Sequence, residues 1–276
     1  MAVISLARGI YFAAVMVLFG ASVFKILLRR RLPIVAPVRL PRFLLLLSAL
    51  LAGLIWFILA AAEMAGKLST ETIWQVAHST RFGQLFLIRI ALLLGLALTP
   101  RRRERWAAVF SGLALVLPSV TSHAAESSPA GFTAIGASLD GMHLLTAAFW
   151  IGGLAVLGLL FRRKEPNILL ALSLFSDWAM VAVLLLVMTG LIDAASILLG
   201  GANGPGPMRP AIAYLGVLGA KLFLVLVMIG LAAANRFGLM PRGADKAISR
   251  NAALELILGL IVVLLAGALG QLSATQ

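Results

Sequence analysis

The segment LDGMHLLTAAFWIGG, residues 139–153, places a carboxylate, an imidazole and an indole in an otherwise apolar run. On an α-helix, the spacing of Asp140, His143 and Trp150 puts all three on one face. Imidazole is a common metal ligand, and a carboxylate three residues earlier can accept its second N–H and orient the ring. Alternatively, Asp140 caps the helix, His143 bonds a neighbouring helix and Trp150 packs. The spacing alone leaves both interpretations open.

Two further histidines and two methionines offer additional metal donors. His123 ends the helix before that of His143, and the short linker between these helices allows the two imidazoles to share one ion. His78 either joins this site or lies at the membrane interface. Met64 and Met208 carry thioethers, which suit Cu(I), although methionine is also an ordinary apolar filler.

The composition indicates a membrane protein. Of 276 residues, 62% are hydrophobic and 12% are charged, whereas a soluble domain has roughly a quarter charged residues. The absence of cysteine excludes disulfides and thiolate ligands. The sequence has no nucleotide-binding motif and no catalytic nucleophile constellation, so we expect no enzyme and no ATP-driven pump. The net charge of +13 lies in short clusters between apolar runs, which indicates topology in a lipid bilayer and no nucleic-acid partner.

Eight apolar runs are each long enough to cross the hydrocarbon, which needs about 20 residues. The sequence therefore predicts an all-α, polytopic membrane bundle of about eight transmembrane helices forming a single transmembrane domain, 1–276. The predicted spans are roughly 5–28, 40–62, 73–99, 106–123, 139–161, 169–199, 211–235 and 251–272.

Basic residues predict the orientation. Of the 23 lysines and arginines, 17 fall on one side of this arrangement, and the positive-inside rule makes that side cytoplasmic. Both termini are then outside. All three histidines fall on the outer side or in the outer half of the bilayer.

A partial repeat relates two four-helix halves, 1–123 and 124–276. Phe82 precedes Arg89 by seven residues, as Tyr214 precedes Lys221, and glycine lies near each pair. This pattern predicts parallel repeats of the kind that membrane proteins build by duplication. Tyr11 and Leu18 then stand at places comparable to His143 and Trp150.

The same repeat places two basic residues within the membrane, where a charged side chain is costly and usually pairs with another polar group. Arg89 and Lys221 can form fold-locking salt bridges with the nearest acids, Asp193 and Glu255. Alternatively, they contact an anion or lipid head group, or govern the passage of ions.

Several segments together resemble the copper resistance protein D (CopD) family. His143–Leu154 is similar to the His-to-Trp-Gly-Gly signature of that family, and SHAAE (122–126) to its Gly-His-Ala segment, with Ser122 in place of glycine. Further similarity lies in the Phe-Ser start and Thr-Gly end of 174–191, the Tyr-to-Lys helix and Asn-Arg exit of 214–236, where a glycine is displaced, and the Glu-containing last helix, 253–269.

The resemblance implies a bacterial inner-membrane protein of eight helices that handles copper ions and is commonly linked to uptake from the periplasm. It also implies a separate periplasmic copper carrier of the CopC type, because no such domain is visible in this sequence. The family pattern has its histidines at His123 and His143.

Three functions remain open at this stage. The first is a copper permease with an outer-side His123–His143 site, helped by His78, Met64 or Met208. The second is an electron-transfer protein in which two histidines ligate haem b between helices. The third is a non-transporting scaffold that delivers copper to another protein.

Overall fold

The computed structural model describes residues 2–121, 133–199 and 212–270, and within helices it leaves the side chains of 120, 121, 133–135 and 193–199 undescribed. His123 and Met208 lie outside the described residues, as does the side chain of Asp193. All regular elements of the described ranges are helical. The α-helices are α1 Ala2–Arg31, α2 Arg42–Ala65, α3 Thr70–Ser79, α4 Arg81–Leu98, α5 Glu104–Val116, α6 Thr133–Arg162, α7 Ile168–Leu199, α8 Ile212–Ala233 and α9 Asp245–Leu269.

Seven helices of the described part are long and apolar enough to cross a membrane, which confirms the polytopic bundle. They are α1, α2, α4, α6, α7, α8 with its continuation to Arg242, and α9. The predicted fourth span differs. Its α-helix, α5, has 13 residues and continues as a 3₁₀ stretch, Leu117–Thr121. Pro118 cannot donate a backbone hydrogen bond, so the regular helix ends just before it.

The run predicted as one span over 73–99 is two helices. Thr80 adopts an extended backbone between α3 and α4, and its hydroxyl caps α4 by accepting from the Gly83 N–H at 2.9 Å. The same hydroxyl donates to the Val76 carbonyl at 2.7 Å. Any side chain at Gly83 would overlap that carbonyl. The corner therefore separates His78 from the face of α4 that carries Arg89.

The centre of the bundle is the crossing of α1 and α6, which are the most buried of the membrane-length helices. A methyl group at Gly20 would overlap the carbonyl oxygen of Ala148, and one at Gly152 would overlap the backbone at Gly20 and Ala21. Small residues allow this close approach, which drives helix association where lipid offers no hydrophobic gain. The remaining helices surround this pair: α2, α5 and α9 pack on α1, α7 packs on α6, and α8 lies outermost against α9.

The halves predicted from the repeat meet at this crossing. In the alignment that pairs Tyr11 with His143, Gly20 is the counterpart of Gly152, and these glycines touch. The contact between equivalent residues is the arrangement expected of two duplicated units around a shared axis. The division into halves and the N-out, C-out orientation stay predictions.

Candidate metal site around His143

His143 lies half-buried on α6 and its ring is fixed by α7. The Nδ1 atom is 3.0 Å from the Thr189 hydroxyl oxygen. That hydroxyl lies 2.7 Å from the Leu185 carbonyl oxygen, to which it donates its single hydrogen. Because the hydrogen is used there, the Thr189 oxygen accepts from Nδ1–H. In this tautomer Nε2 carries the lone pair and is the nitrogen able to bind a metal ion.

Gly190 provides the space that the imidazole occupies. A methyl group at this position would lie 3.2 Å from Cε1 of His143 and 3.7 Å from Nδ1. Thr189 and Gly190 thus form a cradle that orients the ring and leaves room for it. In the sequence this Thr-Gly pair is visible only as part of a family resemblance, and nothing there indicates its contact with His143.

The hydroxyl of Thr189 lies at Nδ1, and the orienting role predicted for Asp140 stays a prediction. The packing of α7 against α6 brings the Thr189 hydroxyl to the ring, a contact that no spacing within α6 can reveal. Asp140 lies half-buried on α6 and makes interactions of its own.

Trp150 lies deeper in the bundle than His143. Its indole lies seven residues, or about 10 Å, further along α6 than His143. The side chain is buried and lines the same cavity as Glu255 on α9. Trp150 therefore belongs to a second polar cluster deeper in the bundle.

His78 and Met64 lie at the surface of the first half. The His78 ring is exposed, lies tilted against Trp74 at 3.9 Å between ring centroids, and has its Nδ1 3.0 Å from the Trp74 carbonyl oxygen. Met64 is 59% exposed near the end of α2. Among the described residues there is no group of three or more His, Asp or Glu side chains that could hold a metal ion.

Lys221 lies near His143, whereas Arg89, its counterpart in the predicted repeat, is enclosed by aromatic rings. The half-buried Lys221 on α8 is close enough to His143 for their charges to interact. Arg89 is 2% exposed, and its guanidinium carbon lies 4.8 Å from the ring centre of Trp56 and 5.5 Å from that of Tyr11. Aromatic faces attract cations. Arg89 is thus held by aromatic rings, and Glu255, one of the two predicted acids, accepts from Asn235 instead.

The two basic residues nevertheless occupy comparable positions. Tyr11, the counterpart of His143, lies beside Arg89, the counterpart of Lys221. In the first half this position holds a phenol and a guanidinium, neither of which binds metal cations readily. In the second half it holds an imidazole. Of these two positions, only the one in the second half offers an imidazole nitrogen.

The fold and site define a polytopic α-helical membrane protein with an imidazole fixed in the interior of its bundle. Residues 1–132 match the model of the copper resistance protein D-like N-terminal domain, and residues 169–269 match that of copper resistance protein D. The chain therefore belongs to the copper resistance protein D family.

Curated relatives resemble this chain over most of its length. Copper resistance protein D of Pseudomonas syringae pv. tomato is 29% identical, with 96% of this chain and 95% of the relative covered. Inner membrane protein YebZ of Escherichia coli is 28% identical, with 85% of this chain and 83% of the relative covered. Copper transport protein CutJ of Bacillus subtilis is 28% identical over 71% of this chain and 37% of the relative. No solved structure matches the chain significantly.

Proposed function

We propose that the protein is a copper permease of the bacterial inner membrane that takes copper from the periplasm through an outer-side site containing His143. Membership in the copper resistance protein D family supports a copper-handling membrane protein. The names of three relatives point to copper resistance, the inner membrane and copper transport, and none names a catalysed reaction.

The observation that carries the proposal is the fixed tautomer of His143. A hydrogen bond from Nδ1–H to Thr189 leaves Nε2 as the donor nitrogen, and such outer-shell contacts commonly orient metal-binding histidines. The ring is preorganised, so binding costs little ordering entropy. His123 is the proposed second ligand, and Asp140 lies one turn from the ring on the same helix.

Lys221 suits a site that must release its ion. A cationic side chain near His143 weakens the binding of a cation there, and transport requires binding that is favourable enough to enter yet weak enough to leave. A periplasmic copper carrier of the CopC type is the proposed donor. It would deliver the ion to the outer end of α6.

A haem site receives less support from the packing. The glycine pair beside Trp150 would permit a flat ring to approach, but both positions are filled. The backbone at Gly20 and Ala21 fills the space beside Gly152, and the Phe175 ring fills the space beside Gly153. A visible spectrum of the purified protein tests this alternative, since a Soret band would favour haem over copper.

The direct test compares copper bound by purified wild-type protein with that bound by His143→Ala and His123→Ala variants. We expect each change to weaken copper binding about 10–100-fold, as the loss of a ligand or its support does elsewhere. His78→Ala is the matched control and should bind normally, because His78 is exposed and bonded to Trp74. Equal binding by all variants would refute the outer site.

Copper accumulation in cells then separates a permease from a scaffold. Cells that express the wild-type chain should accumulate more copper than cells that express His143→Ala at the same membrane level. If purified wild-type protein binds copper but accumulation does not differ, the chain is a delivery scaffold and not a permease.

A further inference from the structure

A cavity of about 180 Å³ lies in the second half of the bundle, between α6, α7, α8, α9 and the π-helical segment Ala234–Leu239. A volume of this size accommodates several water molecules, or an ion with its ligands. Its walls are mostly apolar, but they include Glu255, Met240 and the partly exposed Met180. By the predicted orientation the cavity lies in the cytoplasmic half of the membrane.

Glu255 is 2% exposed and is held by neutral groups. The side-chain amide of Asn235 donates to it at 2.8 Å, and the Trp150 indole lines the cavity beside it. Asn251 donates to Asn235 at 3.0 Å and fixes the orientation of that amide. These contacts position the carboxylate with precision but do not cancel its charge.

The charge balance of the cavity is incomplete. Its lining contains two charged side chains, Glu255 and Arg236. Arg236 is satisfied elsewhere, because it lies 2.9 Å from the Asp177 carboxylate and donates to the Ser176 hydroxyl at 2.7 Å. In the described part of the chain, no cationic side chain forms an ion pair with Glu255. A buried carboxylate without a counter-charge is expensive, so it must bind a cation or a proton.

We infer that this cavity is a second copper site, selective for Cu(I), on the inner side of the bundle. Thioethers are soft ligands that favour Cu(I), and Met180 and Met240 line the cavity together with Glu255. A monovalent ion neutralises one carboxylate, whereas Cu(II) would leave a net positive charge in an apolar cavity. The local π-helix at Asn235 fits a functional role, since such irregular turns often occur at functional sites.

The two sites are placed in series along α6. His143 and Trp150 are about 10 Å apart on this helix, and Trp150 lines the same cavity as Glu255. An ion that leaves the His143 site would pass Trp150 to reach the carboxylate. The inference rests on the proposed function, but its two sites are separable by mutation.

The test is the copper stoichiometry of the purified full-length protein, titrated with Cu(I) in competition with a chelator. We expect about two ions for wild type and about one for Met180→Leu/Met240→Leu, which preserves side-chain volume. Met188→Leu is the control, because Met188 is on α7 and as exposed as Met180 but does not line the cavity. Glu255→Gln should also lose one ion while Asn235 retains an acceptor.

X-ray absorption identifies the ligands of the remaining ion. In His143→Ala protein, copper should show sulfur neighbours that disappear when Met180→Leu/Met240→Leu is added. If Met180→Leu/Met240→Leu protein binds as many copper ions as wild type, this inference is overturned and the proposed outer site still stands. If His143→Ala keeps the full count while the inner variant loses one ion, the outer site fails and the inner site stands.

Discussion

The imidazole Nδ1 of His143 donates to the hydroxyl of Thr189, 3.0 Å away on the neighbouring helix. The hydroxyl is itself anchored on the Leu185 carbonyl of its own helix. This chain of two hydrogen bonds sets the tautomer of the histidine from outside its helix. The position of α7 relative to α6 therefore determines which imidazole nitrogen is left free of a hydrogen bond to Thr189.

Replacing Thr189 by valine should weaken copper binding without removing a ligand. Valine has the same shape but accepts no hydrogen bond. The ring of His143 therefore loses its fixed orientation, and the tautomer with the proton on Nδ1 and the lone pair on Nε2 is no longer favoured. We expect affinity to fall about 10-fold or more, as is typical when the orienting partner of a metal-binding histidine is lost. Chelator competition on purified protein measures the change.

Thr189→Ser is the control for that variant. Serine retains the hydroxyl and should keep affinity near that of wild type. If valine and serine variants bind copper equally, the hydroxyl does not orient the ring.

Replacing Gly20 by leucine should destabilise the bundle. The added side chain would meet the Ala148 carbonyl and the backbone of Gly152, and such overpacking costs at least about 1–3 kcal/mol because the helices must separate. Thermal unfolding in detergent should show a lower midpoint. Gly158→Leu is the matched control, because nothing lies within 4 Å of a methyl group there. Equal midpoints for the two variants would contradict a tight α1–α6 crossing.

The aromatic cage of Arg89 predicts an energetic coupling between Arg89 and Trp56. Trp56→Leu should be more destabilising in wild type than in Arg89→Met protein, because the first change leaves a buried cation without its ring. We expect a coupling of about 1–2 kcal/mol, the range for desolvated cation–π pairs. A double-mutant cycle on unfolding free energies provides the measurement. Additive effects would show that the ring serves Arg89 only as packing.

The outer-surface residues illustrate where sequence patterns were insufficient. The single span predicted over 73–99 would place His78 on the same helix as Phe82 and Arg89. Thr80 instead caps a new helix, because its hydroxyl bonds Gly83 and Val76. A threonine within an apolar run is compatible with one continuous helix and with two helices that meet at the threonine. The close packing at Gly83 decides between these two structures.

The sequence by itself determined the class of protein and the order of its helices. Long apolar runs require membrane-spanning helices because the hydrocarbon cannot satisfy free backbone groups. The spacing in α6 also correctly placed His143 and Trp150 on a helix. These properties are local, since they depend on residues close together in the chain.

Only the tertiary structure decided which groups His143, Trp150 and Arg89 contact. Thr189 is 46 residues from His143 in the chain, and Glu255, which lines the same cavity as Trp150, lies on α9, far along the chain from Trp150 on α6. Arg89 likewise contacts aromatic rings on α1, α2 and its own helix. Such pairings depend on how closely helices approach, and that approach is set by small residues such as Gly20 and Gly152. Periodicity identifies the face of a helix, but packing alone identifies what that face meets.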